Sequence, residues 1–387
     1  MHQATSEYRN QLFLDVYNGK IPDRVPEKLN ILSAAVYEFA GYDLRYHQYG
    51  ITSYINALDK VSAEFDTDIV VGAIFNPPWL NKILGSKTRV MGSDGFVQHP
   101  NVEGMKEDEY PELIADPIKF IWDKAIPRLY TELGRPAPYN AFALLKAQKL
   151  SEYVNGKIGA ARAEIAKKYN KVTVNLAARA GGKIPLDYLG DFLRSFTGIL
   201  IDIRRRPDEV LQALEVLTPI ITTGRAAKHA LKEPQRHLRS GCAPHMPTFM
   251  RIKDFEKFYW PGFKQAMWEK YEAGYGVNVF CEDNWMHLID YLYELPPGSE
   301  LQFEYGDPKE LKRRLGDRHI ISGLFPSTIL KTATKEEVEY KAKELIDILA
   351  PGGNFVFNFD KSILRNSTVN WENFKVLLNT VHTYGKY

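Results

Sequence analysis

The chain has little of what would mark a specialised environment. Its 387 residues include two cysteines, Cys242 and Cys281, too few for a disulfide framework, and a reducing compartment would leave both as thiols. No run approaches the roughly 18–20 apolar residues needed to cross a bilayer. Met1-His2-Gln3-Ala4-Thr5-Ser6-Glu7 also lacks the basic and apolar regions of a signal peptide. A cytoplasmic location with no membrane partner is therefore expected. Lys+Arg at 50 against Asp+Glu at 48 leaves a net charge of +2, so nothing global argues for nucleic acid. Several motifs are missing too: Gly-x-Gly-x-x-Gly after a strand, a Walker loop, a Gly-x-Ser-x-Gly elbow, His-Glu-x-x-His and paired Cys-x-x-Cys. These absences argue against the common dinucleotide, nucleotide-phosphate, serine-hydrolase and short-signature zinc sites.

What is present is one unit repeated four times in the last third: a short apolar strand, a polar turn, then an amphipathic helix. Val277–Cys281 leads to a helix over Met286–Glu294, and Glu300–Glu304 leads to Pro308–Leu315. His319–Ser322 leads to Lys335–Leu349, and Asn354–Asn358 leads to Asn370–Val381. Strands joined by helical crossovers lie parallel, so this reads as half of a (β/α)8 barrel or a doubly wound sheet. In a barrel the chemistry sits at the carboxyl ends of the strands. Those ends read Cys281-Glu282-Asp283-Asn284, Glu304-Tyr305-Gly306-Asp307, Gly323-Leu324-Phe325-Pro326 and Asn358-Phe359-Asp360.

Earlier in the chain, Tyr8, Leu12, Phe13, Val16 and Tyr17 recur at helical spacing and Gly19 closes that helix. A helix over Tyr54–Phe65 delivers a strand, Asp68–Ile74, which ends in the rigid aromatic loop Asn76-Pro77-Pro78-Trp79. Lys87–His99 reads as a decorating hairpin, Asn101–Pro138 as loops and short helices, Ala141–Tyr169 as a helix and Lys171–Ala177 as a second buried strand. Leu186–Phe196, Asp208–Leu217 and Ile220–Leu231 read as helices, and Phe255–Tyr271 as one long helix whose seven aromatic residues belong to the core.

At the strand ends, alternation should turn Cys281 and Glu282 to opposite faces. A small buried thiol is the plain reading of Cys281, and helix-capping that of Glu282. His245, in Cys242-Ala243-Pro244-His245-Met246-Pro247, lies in a loop bracketed by prolines where a neutral imidazole can ligate a metal. Glu304, Asp307 and Asp360 end the later strands. Carboxylates, an imidazole and a thiol converging on one barrel end would make a divalent site.

Phe255-Glu256-Lys257-Phe258-Tyr259-Trp260-Pro261, Gly276–Trp285, Leu315-Gly316-Asp317 with Ile321-Ser322-Gly323, Lys335-Glu336-Glu337-Val338 and Gly352-Gly353 resemble the uroporphyrinogen decarboxylase superfamily, in its branch of cobalamin-dependent methyltransferases. Arg24-Val25-Pro26 is similar to that family's entry segment. The resemblance implies a single (β/α)8 TIM barrel over residues 1–387, with an amino-terminal helical extension over 1–66 and an inserted hairpin and loops over 87–140 at the barrel mouth.

The tetrapyrrole-binding Arg-Gln-Ala-Gly-Arg and Gly-His-Gly motifs of true decarboxylases are missing, and Asn358-Phe359-Asp360-Lys361 stands in the late position. Where thiol methyltransferases of the family carry His-x-Cys and a later Cys on zinc, this chain reads Phe280-Cys281-Glu282, with Asp360 near the later position. Harder ligands suit a Lewis acid aimed at an ether oxygen. By resemblance, then, a suspected Zn²⁺ is held by His245, Glu282 and Asp360. Glu282, Glu304 and Asp307 are the catalytic carboxylates, and Trp79, Tyr305, Phe325 and Phe359 the substrate walls.

The implied activity is the first methyltransferase of an anaerobic demethylation system. It would move a methyl group from a small methylated substrate such as an aryl methyl ether to Co(I) of a separate corrinoid protein. The chain has no Asp-x-His-x-x-Gly corrinoid motif of its own. A lyase acting on a carboxylated substrate, for which Arg24, Arg179 and Arg251 are the residues to inspect, and a non-catalytic ligand-binding barrel are the alternatives. A homodimer is compatible with either.

Overall fold

The computed structural model describes residues 4–72, 78–173 and 183–387. Ser6–Tyr17 forms α1, begun by Thr5, whose hydroxyl accepts the Tyr8 N–H, as an N-cap does. Ile51–Glu64 forms α2, with Tyr54, Ala57, Leu58 and Val61 on its buried face. Next, Val70 N–H donates to the Val172 carbonyl at 2.9 Å and Val172 N–H to Asp68 at 2.8 Å, a parallel pairing. The expected strands Asp68–Ile74 and Lys171–Ala177 are thus seen at their starts. Their ends, and Ala178–Gly182, lie outside the described residues, as do Asn76 and Pro77. The expected loop at Trp79 is corrected: Pro78 opens a helix, Pro78–Leu84, that carries Trp79, because proline suits a first helical turn. Val90–Met91 (β1) and Val97–Gln98 (β2) make the antiparallel hairpin, and Tyr139–Lys168 is α3.

The carboxyl half holds a five-stranded parallel sheet in simple sequence order, β3 to β7. Gln235–Cys242 is β3, followed by helix α4 (Trp260–Glu272), β4 (Tyr275–Asn284) and β5 (Glu300–Tyr305). Then come α5 (Pro308–Leu315), β6 (Ile320–Phe325), α6 (Lys335–Leu349), β7 (Phe355–Phe359) and α7 (Trp371–Tyr384). Every residue of β6 and β7 is buried, as expected of parallel strands covered on both faces. Cap chemistry sets the helix starts: Thr334 and Glu337 make a reciprocal capping box on α6, and Asn370 caps α7.

Three expectations are corrected. β3 was not foreseen, because Gln235-Arg236-His237-Leu238-Arg239 reads as polar. β6 runs past Ser322 through Phe325; Gly323, at φ +88°, makes this possible, since a Cβ there would collide with the Phe303 backbone. The aromatic helix is two pieces, a π-helical turn over Phe255–Tyr259 and then α4, which restarts at Trp260 just before Pro261.

The sheet curls. Segment 26–32 continues it beyond β7 in parallel, with Lys28 N–H on the Phe357 carbonyl at 2.8 Å and Leu32 N–H on Ile363 at 2.9 Å. Its Lys28 ammonium nevertheless reaches back to pair with Glu300, the first residue of β5. Gln302 of β5 similarly donates to the Phe359 carbonyl at 3.1 Å. The Glu300 carboxylate also accepts the Tyr17 hydroxyl at 3.1 Å, and the Arg239 guanidinium lies 4.6 Å from the Tyr17 ring. Helix α1 therefore sits under the amino ends of the strands and not over the mouth. The hairpin is on the mouth side, where Asp94 meets Arg365 at 2.7 Å in the loop after β7. Chain ends meet as well: Val25 N–H donates to the Gly385 carbonyl at 2.7 Å.

Asp68, fully buried, organises the amino end. Its carboxylate takes Arg9 at 3.0 Å, Arg24 at 2.6 and 2.9 Å and the Glu27 N–H at 3.0 Å. Burial raises its pKa, but the Arg24 guanidinium outweighs this and the net shift is downward. Glu27 moves the other way, pushed up to about 8 by burial and by the Asp68 charge.

Two outcomes are expected. Asp68→Ala would strand two buried guanidiniums and should cost about 3–5 kcal/mol in urea unfolding. His319 is fully buried, which pushes its imidazole down to about 4. The unfolded chain therefore takes up that proton first, near pH 6.5, and stability falls by roughly 3 kcal/mol between about pH 6.5 and 4. Replacing His319 with Gln should flatten that part of the pH–stability curve.

Candidate active site

At the carboxyl end of the sheet lies a cleft of about 560 Å³, within the size range of small-molecule sites. Its walls are His245, Thr248 and Phe249 from the loop after β3, Glu282 and Asp283 from the end of β4, Glu304 and Tyr305 from β5, and Phe196. The register of β4 against β5 slips between Cys281 and Asn284, and Asp283 adopts φ +62°. This bulge resolves the Cys281/Glu282 alternation: Cys281 is buried, while Glu282, Asp283 and Asn284 face outward. Cys281 is a core thiol whose pKa burial drives upward. The Glu282 carboxylate has no hydrogen bond or ion pair among the described residues. The carbonyl of Glu282 accepts the Trp285 indole N–H at 2.9 Å, which pins the strand end.

His245 is held from one side. Its Nδ1 lies 3.1 Å from the Asp191 carboxylate, and that hydrogen bond, partly opposed by burial, raises its pKa, with Asp187 and Glu282 adding to the effect. Asp187 is buried, takes the Met246 N–H at 3.2 Å and the Tyr259 hydroxyl at 2.7 Å, and is pushed up to about 6 by burial. Neither aspartate was singled out from the sequence. The signal available was two acids four residues apart in the otherwise apolar Pro185-Leu186-Asp187-Tyr188-Leu189-Gly190-Asp191-Phe192-Leu193.

Glu304 is in the cleft but occupied. It takes the Lys361 ammonium at 2.8 Å and the Asp283 N–H at 2.9 Å, and Lys361 stands 5.7 Å from the Tyr305 ring centre. Tyr305 is half-exposed and lines the cleft.

The other expected residues sit elsewhere. Asp307 is the N-cap of α5, accepting Lys309 and Glu310 N–H groups. Asp360 is buried and accepts the Ser327 and Lys361 N–H groups at 2.9 and 2.6 Å. Phe325 and Phe359 are fully buried and pack on one another at 6.1 Å, and Trp79 packs against the core.

The expected zinc set does not come together. Among the described residues, the His/Cys/Asp/Glu trio with ligand atoms within 4.8 Å of one another is Glu27, Asp68 and His382, at the opposite end, where arginines and backbone N–H groups occupy the carboxylates. At the cleft, His245 Nε2 and the Glu282 and Asp283 carboxylates carry no partner among the described residues, but their ligand atoms do not gather within 4.8 Å of one another as those of a preformed zinc site would. Among the described residues, then, the cleft brings together no preformed three-ligand set for that ion.

A parallel β/α sheet carrying its open cleft at the strands' carboxyl ends is the arrangement of a barrel-type enzyme. The sequence profile of the uroporphyrinogen decarboxylase (URO-D) family matches residues 188–384, just over half of the chain, and the protein belongs to that family of enzymes. No curated protein matches the chain.

Elemental analysis of the purified protein should accordingly find zinc well below one equivalent, and titrated zinc should leave the intrinsic fluorescence of the tryptophans unchanged.

Proposed function

We propose that this protein is the substrate-specific methyltransferase of a demethylation system. In this reading it moves the methyl group of a small neutral compound, an aryl methyl ether, to the Co(I) of a separate corrinoid protein. The sheet is read as a complete (β/α)8 barrel, with 26–32, 68–72 and the strand beginning at 171 supplying the three further strands.

The observation that carries the choice within the family is the charge of the cleft. Its described walls hold three carboxylates and one imidazole, with no lysine or arginine among them. A polycarboxylated tetrapyrrole needs the opposite, a convergence of guanidiniums. Arg24 is committed to Asp68 at the far end of the sheet and Arg251 is not among the cleft residues, while Arg179 lies outside the described residues. A neutral aromatic ether meets no such conflict. Phe196, Phe249 and Tyr305 offer it ring faces and edges.

The chemistry follows from the leaving group. When the methyl carbon is attacked, the C–O bond electrons stay on oxygen, and an unassisted phenolate is a poor leaving group. His245, whose pKa the Asp191 carboxylate raises and whose Nε2 has no partner among the described residues, is in its imidazolium form the proton donor to that oxygen, giving a phenol and a neutral imidazole. Glu282 faces the same cleft and its negative charge favours the imidazolium. The electron pair of the new bond comes from the corrinoid acceptor, so atoms and charge balance.

In a cobalt-methylation assay with a corrinoid protein and a panel of methylated compounds, His245→Gln and Glu282→Gln should each lower kcat, His245→Gln by about 10²–10⁴, with KM little changed. An ether with a nitro-activated phenol should lose far less, since it leaves without a proton. Full activity of His245→Gln on the unactivated ether would sink this assignment.

A further inference from the structure

Two acids grip the His245 loop from one helical face. The helix Pro185–Tyr188 continues as a π-helical stretch, Leu189–Arg194, and places Asp187 and Asp191 four residues apart. Like charges at that spacing repel and destabilise a helix by a few tenths of a kcal/mol, so local propensity does not explain the pair. Each has a separate task. Asp187, 3% exposed, holds the backbone through the Met246 N–H at 3.2 Å and is anchored by Tyr259 at 2.7 Å. Asp191 touches the ring: its Oδ1 is 3.1 Å from Nδ1, and its other oxygen stands 3.9 Å from the Lys183 ammonium. An ionised carboxylate can only accept, so the proton between them belongs to Nδ1.

We propose that Asp191 is a positioning residue for His245. By accepting Nδ1–H it fixes the tautomer and rotation of the ring, so that Nε2 is the nitrogen presented to the cleft shared with Glu282. Lys183 stands beside the outer oxygen of Asp191, and Asp187 keeps the loop backbone in place. A free imidazole prefers the proton on Nε2, so the bond to Asp191 imposes the less common neutral form. The orientation stands on the geometry alone, whereas its catalytic consequence rests on the methyl-transfer reading.

The test is nitrogen NMR of the full-length protein carrying ¹⁵N-histidine, with the His245 signals assigned by their loss in His245→Gln. In the wild type the neutral ring should show the Nδ1–H pattern. Asp191→Ala should shift it to Nε2–H, and Asp191→Glu should restore part of the original pattern. In the methyl-transfer assay Asp191→Ala should lower kcat by at least about 10-fold and by up to about 10⁴-fold, the loss seen when the carboxylate that orients a proton-transferring histidine is removed, with KM within about twofold. Should Asp191→Ala fail to fold by circular dichroism, the isosteric Asp191→Asn takes its place. An Nε2–H pattern in the wild type, or an unchanged pattern in the variant, overturns the proposal. A tautomer shift in a protein that methylates no cobalt would uphold the positioning and refute the methyl-transfer reading instead.

Discussion

The buried Asp68 carboxylate is the constraint around which the amino end of this sheet is assembled. An ion of that kind removed from water is costly unless its lone pairs are filled, and here α1, segment 26–32 and the strand beginning at Asp68 each contribute to filling them through Arg9, Arg24 and the Glu27 N–H. None of the three can be displaced without exposing charge to an apolar interior. The Lys28–Glu300–Tyr17 cluster extends the same logic across the curled sheet, tying segment 26–32 to β5 and α1 to both. What such a network supplies is the relative placement of these elements more than raw stability, because well-packed apolar residues are often as stable in such positions.

The two ends of the sheet use charge differently. At the amino end carboxylates and guanidiniums answer one another. At the carboxyl end, among the described residues, the Glu282 carboxylate has no partner, His245 has one nitrogen bound and one without a partner, and Glu304 is paired with Lys361. A group left without a partner on a rigid frame is available to a ligand, which is why a barrel separates stability from chemistry along its axis. The bulge at Asp283 matters for the same reason: it lets consecutive residues of one strand serve the core through Cys281 and the cleft through Glu282.

Much of this architecture was legible because the four carboxyl-terminal units obey local rules. Each apolar strand is short, three of the four crossover helices start at a capping residue, Asp307, Thr334 or Asn370, and the periods differ clearly. β3 was illegible for a physical reason. Arg239, buried in spite of its charge, donates to the Val277 and Gly298 carbonyls and to Asn278, so a tertiary cage replaces the water that its sequence context implies. The site was half legible. Glu282, Glu304 and Tyr305 were identified from their positions at strand ends and His245 from its loop bracketed by prolines, and the four share the cleft. Asp307 and Asp360 stood at equally suitable positions, but short acids that follow a strand are also natural caps, and backbone N–H groups took both. Phe325 was misplaced because β6 runs three residues further than its apolar run suggested.

The pairing of segment 26–32 with β7 has a temporal side. Asn30 bonds Ser362 at 2.6 Å although 332 residues separate them. At ribosomal speeds of about 5–20 residues per second, roughly 15–70 s pass between the emergence of one partner and the other. Throughout synthesis the earliest strand must wait with its hydrogen-bonding edge unmatched, and Lys28 and Arg24, which discourage association with foreign strands, guard it in the meantime. The same two cations that lock the finished fold are thus the nascent chain's protection against joining the wrong sheet.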